Sequence, residues 1–482
     1  MPDDAAREFA AQSRCLVVAA AGCGKTELIA RAILECSEGP QLVLTHTHAG
    51  VRALRDRLRL KRAPPSSYAV DTIAGFSLRY AASFPRLSGG CVPEPCTSDD
   101  WLCVYEAASR CIHQRHIRDI LKRSYAGVFV DEYQDCTKRQ HELISALCEL
   151  LPTRIVGDPL QGIFEFSKDD PLVNWASDVY PVFNRLGDLD EPHRWRQTNP
   201  ALGHWLLGAR NCLLSGQPIH VRDGGPVKWV DVANPKTRQA CQIRTCLGLL
   251  GNRHDSIAVL RKWPQQAHAT SKVLKGSFRS MEEVECRDLL AWCERVQAAT
   301  GLERASLVVK CALACMTKKP QALDELGRIL EEGQFPGDHK LKKLAPLKSV
   351  LREIADTGAW LAVSKAFRII AQMPEVTLHR KELYREMVKA TSTHEESSKS
   401  PLRSTAWRIR DGSRRFGRFV DPRVVSRTTL VKGLEFDHVV LVDAGDFDDA
   451  KNLYVALTRG AKSLTVMSAG RTLQRPNPGL SL

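Results

Sequence analysis

Between Ala19 and Thr26 the chain reads AAAGCGKT, and this run of small residues, a lysine and a hydroxyl could hold a phosphate. Successive backbone N–H groups in such a turn, followed by a helix N-terminus, face anionic oxygens, and small residues let the backbone approach them closely. The pattern fits a phosphate-binding loop with Ala19 where the first glycine usually stands. Ala21, Gly22, Cys23 and Gly24 would line the phosphates, Lys25 would reach the β- and γ-phosphates, and the Thr26 hydroxyl would ligate magnesium. A second set of residues completes this chemistry. VFVDEYQD (128–135) is an apolar run ending in two carboxylates. Asp131 could share the magnesium with Thr26, while Glu132 orients and deprotonates an attacking water. Paired with the loop, they predict nucleotide hydrolysis rather than binding alone.

These residues need strands to carry them. RCLVVAA (14–20) precedes the loop, a helical ELIARAIL (27–34) follows it, and QLVLT (41–45), GVFVD (127–131) and TRIVGD (153–158) read as further strands. Short β-rich runs alternating with helical patterns predict a parallel sheet with crossover helices. The rhythm returns at FDHVVLVDA (436–444) and SLTVMSA (463–469), with the helical LYVALTRGA between them, and SIAVLRK (256–262) is expected in that second sheet. The fold class is therefore α/β with two lobes. The first spans 1–193, with an inserted subdomain at about 77–123. The second spans 194–278 and 404–482, and is interrupted by a helical subdomain at 279–403 that ends in the polar stretch 391–401.

Composition sets the outer bounds. At 482 residues the chain has room for about three domains. Lysine and arginine exceed aspartate and glutamate by 69 − 55 = 14, a balance that suits a polyanionic partner or, equally, a basic proteome. The sixteen cysteines are scattered with no CxxC pair, which reads as reduced thiols and a cytoplasmic location. Cys91, Cys96, Cys103, Cys111 and His113 fit no standard zinc knuckle. No apolar run approaches the roughly 20 residues needed to cross a bilayer, so no membrane is expected as a partner. Met-Pro-Asp-Asp at the start lacks the layout of a secretory signal.

The order of the remaining motifs resembles the UvrD/Rep/PcrA-type superfamily 1 DNA helicases over nearly the whole chain. VLTHTHA (43–49) is similar to that family's TFTN segment and DTIAGF (71–76) to its TFH segment. DEYQD (131–135) is a hallmark. GDPLQGIFEF (157–166) resembles GDxxQxIYxW, PHR (192–194) resembles NYR, KGLEF (432–436) matches directly, and YVALTRGA (454–461) matches YVxxTRA. The resemblance implies two RecA-like lobes closing on ATP and Mg²⁺, with single-stranded DNA and single-strand/duplex junctions as partners and 3′-to-5′ movement. It implies that Gln161 senses the γ-phosphate and that Arg194 and Arg459 are arginine fingers. His193 would stack on the base and Glu435 would accept from the ribose. Thr45, His46, Thr47, Thr72, Phe164, Phe166 and Thr429 would face the DNA.

Some positions depart from that pattern. The adenine-reading glutamine of the family appears as Ala6, with Gln12 out of spacing. Ser167 replaces an arginine and Thr429 a histidine. For Phe164 and Phe166, base stacking and core packing both remain open. So do a DNA track and a solvated basic face for 403–423, with Trp407 and Phe416. Only 23 residues follow Arg459, so no nuclease domain is expected there. Two functions fit: an autonomous helicase, or a DNA-sensing ATPase subunit beside a nuclease partner, similar to the compact UvrD-like subunit of Gabija-type phage defence. The second fits anti-phage defence or DNA repair.

Overall fold

The computed structural model describes residues 3–90, 95, 98–164, 169–282, 287–337, 339–394, 400–416 and 421–473. Among them, two six-stranded sheets are each wholly parallel. The first contains β1 (Arg14–Ala19), β2 (Gln41–Thr45), β3 (Tyr68–Thr72), β4 (Gly127–Val130), β5 (Thr153–Gly157) and β6 (Asn184–Leu189), in the order β3-β2-β4-β5-β1-β6. The second contains β7 (Val227–Asp231), β8 (Ile257–Arg261), β9 (Arg279–Ser280), β10 (Arg423–Arg427), β11 (Phe436–Leu441) and β12 (Gly460–Ser468), in the order β9-β10-β8-β11-β12-β7. The molecule thus has two RecA-like α/β lobes.

Both faces of the first sheet are covered, as a parallel sheet requires. Leu16 and Val18 of β1 pack on one side with Leu42, Leu44, Val128 and Val130. Val17 and Ala19 pack on the other with Phe9, Leu28, Ile29 and Phe129. That alternation holds β1 in register with β5, Val17 opposite Val156. Because all strands run the same way, the loop after β1 and the carboxylates after β4 emerge at one edge, with only β5 between them.

The two inserted regions differ. Helices Ile73–Ser83, Ser98–Ile112 and Arg115–Ser124 merge with the first lobe: Phe76, Tyr105, Ile112, Ile117 and Leu121 share a cluster with Val130, Leu143 and Ile155. The second region has a core of its own, in which Leu289, Val308, Leu326, Leu351, Phe367 and Met387 share one cluster separate from those of the two sheets. Its edges differ from those expected. Arg279–Ser280 pairs with β10 inside the second sheet. Helix Leu402–Phe416 puts Leu402 and Ala406 into the insertion's core. Arg380 forms the joint: its Nε donates to Glu282 Oε1 at 2.8 Å and its Nη2 to Asp288 Oδ2 at 2.7 Å. His268, Glu282 and Asp288 lie close enough to share an ion, but Arg380 already engages both carboxylates.

The thirteen described cysteines are free thiols. Cys103, Cys111 and His113 form no ion-sized group among the described residues, and Cys91 and Cys96 lie outside them. No helix among the described residues is long and apolar enough to cross a membrane.

Candidate nucleotide site between the two lobes

The loop after β1 turns through Gly22 (φ +71°) and Gly24 (φ +92°), backbone angles that side chains resist. Gly24 caps the helix Lys25–Glu35, so that helix's free N–H groups open onto the loop. Cys23 is buried, with its thiol donating to Ala21 O at 3.7 Å, and burial pushes its pKa up to about 12. It is an inert filler. Lys25 is buried and its Nζ lies 3.4 Å from Ala19 O and 3.9 Å from Glu132 Oε1.

Across β5, Asp131 and Glu132 follow the end of β4. Glu132 adopts φ +57°, an uncommon angle for a side-chain-bearing residue. Its N–H donates to Asp131 Oδ1 at 2.9 Å, which locks the turn. Asp131 Oδ2 accepts from Thr26 Oγ1 at 3.5 Å. Burial and the neighbouring Glu132 hold the Asp131 carboxyl well above the usual carboxylate range. Burial pushes Glu132 the same way, but Lys25 and Lys432 outweigh it and keep Glu132 ionised. Thr26 and Asp131 are hard oxygen donors side by side, the kind of pair a magnesium ion takes.

A relay runs from Glu132 to the second lobe. Gln134 Nε2 donates to Glu132, and Gln134 Oε1 accepts from Asp158 N–H at 2.9 Å. Asp158, fully buried, accepts from Gln161 Nε2 at 3.1 Å and from Arg210 Nη2 at 3.1 Å. Gln161 Oε1 then accepts from Arg459 Nη2 at 3.3 Å. Arg459 is also fixed by Nε donating to Val455 O at 3.0 Å. Burial and the nearby Arg194 pull its pKa down to about 10, which leaves it cationic at neutral pH. Lys432 bridges the lobes as well, donating to Asp135 and to Gln161 O.

The turn His193–Trp195 touches the loop directly. Arg194 N–H donates to Gly22 O at 3.1 Å, and a Cβ built on Gly24 would sit 3.4 Å from His193 Cδ2. Arg194 pairs with Glu435 at 2.6 Å, and Tyr454 Oη accepts from Ala21 N–H at 3.1 Å.

The expected nucleotide-site residues Ala21 to Thr26, Asp131, Glu132, Gln161, His193, Arg194, Glu435 and Arg459 therefore converge. The residues expected to face DNA are less uniform. Thr45 and Thr72 are buried, and Thr72 caps a helix by accepting from Gly75 N–H at 2.8 Å. Thr47 is exposed and caps the next helix, accepting from Gly50 N–H at 3.0 Å. His46 is half-buried with Nε2 3.5 Å from Cys136 Sγ; burial and Lys432 push its pKa down to about 3, so the ring is neutral. Phe164 is half-buried, with Lys432 Nζ 4.6 Å from its ring centre. Thr429 Oγ1 is buried without a hydrogen-bond partner. Phe166 and Ser167 lie outside the described residues, as do the side chains of 410–420.

Sequence reasoning gave no role to Gln134, Asp158, Arg210, Trp195, Tyr454 or Lys432. Gln134, Asp158, Tyr454 and Lys432 sat inside quoted motifs. Arg210 and Trp195 carried no local signal.

A family model described as an AAA domain matches residues 3–167. No curated protein matches the chain. Similar solved structures include the arterivirus nonstructural protein 10 helicase with DNA, at 15% identity over 53% of this chain and a TM-score of 0.28. The Bacteroides Pif1 helicase with ADP-AlF3 and single-stranded DNA is similar at 12% identity over 54% of this chain, with a TM-score of 0.31. The chain spans about half the length of these structures, 49% and 52% respectively.

Proposed function

We propose that the chain is an ATP-driven motor that moves along single-stranded DNA and uses hydrolysis to open duplex at single-strand junctions. The observation that carries this reading is the relay from Glu132 through Gln134, Asp158 and Gln161 to Arg459. It links the water-activating side of one lobe to a buried cation of the other. Lys25 and the loop N–H groups hold the phosphates, and Glu132 takes the proton of the attacking water. Arg459 and Arg194 neutralise charge developing on the γ-phosphoryl. Thr26 and Asp131 would hold magnesium, whose charge, when bound, further screens the phosphates. Since Gln161 O and Asp135 both accept from Lys432, which lies over Phe164, a change at the γ-phosphate reaches a residue expected to face DNA. Movement 3′-to-5′ rests on the family resemblance alone.

ATP turnover with and without single-stranded DNA tests the reading, followed by displacement of strands from 3′-tailed and 5′-tailed duplexes. DNA-stimulated turnover with opening of 3′-tailed substrates is expected. Turnover indifferent to DNA would overturn it. A second reading, a DNA-sensing ATPase that works beside a nuclease partner, is favoured by one feature. The first inserted region is fused into its lobe's core, which leaves less to grip duplex. Strong stimulation with poor displacement of long duplexes would select it.

A further inference from the structure

We propose that Trp195 is a positioning residue for Arg459, tying the arginine's backbone to the phosphate loop; this rests on the nucleotide-hydrolysis reading above. Trp195 is 1% exposed although it lies between the lobes. Its indole Nε1–H donates to Gly460 O at 2.6 Å, and Arg194 Nη1 donates to Thr458 O at 2.8 Å. Those two carbonyls flank Arg459 on either side. The turn that supplies both donors is itself held to the loop, through Arg194 N–H on Gly22 O at 3.1 Å.

The outer edge of the indole ring also lies close against Gly22. A Cβ built there would come within 2.6 Å of Trp195 Cζ3 and 2.9 Å of Cη2, so only glycine admits the ring. The Arg194 guanidinium covers the ring, 5.2 Å from its centre. Arg459 is therefore held at several points: its guanidinium by Gln161, Val455 and Thr458 Oγ1, its own carbonyl by Phe436 N–H at 3.0 Å, and the carbonyls on either side of it by Trp195 and Arg194. Any shift of Gly22 as phosphates enter the loop pushes the ring, and through the ring Gly460. Catalysis by a charge aimed at a developing anion depends on its position, and a displacement of about 1 Å can cost roughly a hundredfold in rate.

Trp195→Phe removes both arms of this contact, the N–H donor to Gly460 O and the outer ring edge that meets Gly22. The expected result is a fall in ATP kcat of about tenfold or more, with KM for ATP nearly unchanged. The smaller ring also lowers the melting temperature, so the double-variant comparison and hydrogen exchange separate the clamp from packing. In an Arg459→Ala background the same substitution should change kcat less than about twofold, since contacting residues that act together are non-additive. An unchanged kcat, a KM effect alone, or an equal loss in both backgrounds would overturn the proposal. Hydrogen exchange decides it independently of turnover: Trp195→Phe should speed exchange in the peptide 455–462 and leave 25–35 unchanged. A wild-type chain without ATPase activity would defeat the hydrolysis reading, whereas equal exchange in both proteins would defeat the clamp.

Discussion

The two lobes furnish the cleft in different ways. The first presents Lys25, Thr26, Asp131 and Glu132 beyond the ends of two buried strands with one strand between them, Thr26 hydrogen-bonded to Asp131 and Lys25 Nζ 3.9 Å from Glu132 Oε1. The second presents Arg194, Lys432, Glu435 and Arg459 on turns and at a helix end, and Arg194, Lys432 and Arg459 each reach across to the first lobe. On the proposed reading, the first lobe would hold the nucleotide by itself and the second would act on it only through contacts that cross between the lobes. Binding and turnover should therefore be separable by residue.

The largest expected effect is on the second lobe's side. Arg459→Ala should lower ATP turnover by about a thousandfold or more while ATP affinity, measured by titration, stays within a few-fold. An equal loss of affinity would erase the division between lobes. Glu132→Gln should slow turnover by roughly 10²–10⁴-fold, the usual worth of a general base, and nucleotide should accumulate bound rather than be released. Wild-type turnover in this variant would remove Glu132 from the mechanism. Lys25→Ala should act on affinity itself, weakening ATP binding by about 1.5–3 kcal/mol, since it removes a charged donor to phosphate. If ATP binds Lys25→Ala normally, the first lobe is not the holding side. The smallest effect belongs to the face expected to meet DNA. Phe164→Ala should weaken single-stranded DNA binding by about 1–3 kcal/mol in fluorescence anisotropy and leave DNA-free turnover intact. Unchanged DNA affinity with altered basal turnover would show that Phe164 serves only to seat Lys432.

The first lobe was the more legible in sequence for a physical reason. A phosphate loop and a strand-end carboxylate pair are local patterns, so AAAGCGKT and VFVDEYQD declare their chemistry within eight residues each. The relay is not local. Arg210 meets Asp158 across 52 positions and Arg459 meets Gln161 across 298, and no periodicity records either contact. The strands show the same rule. β3, β6, β7 and β9 went unread, and all four are sheet edges. An edge strand such as Asn184–Leu189 is mostly solvent-facing and lacks an apolar run. β10 also went unread, its Val424 and Val425 enclosed by arginines that pointed instead to a charged surface. The helical insertion was visible as helix, but its edges moved because nothing in Arg279–Ser280 announces a two-residue strand.

The insertion's separate core and its Arg380 joint make it mechanically a lever. Its helices of 13 to 15 residues, such as Ala345–Thr357 and Leu402–Phe416, are about 20 Å long at 1.5 Å per residue. Packed around side chains of their own, they form one unit that a rotation of the second lobe would carry together. A tilt of about 10° at the second lobe would carry the far end roughly 3.5 Å, close to the axial spacing of one nucleotide along a strand. On the proposed motor reading, the length of the arm would turn a small rotation of the second lobe into a displacement of about one nucleotide.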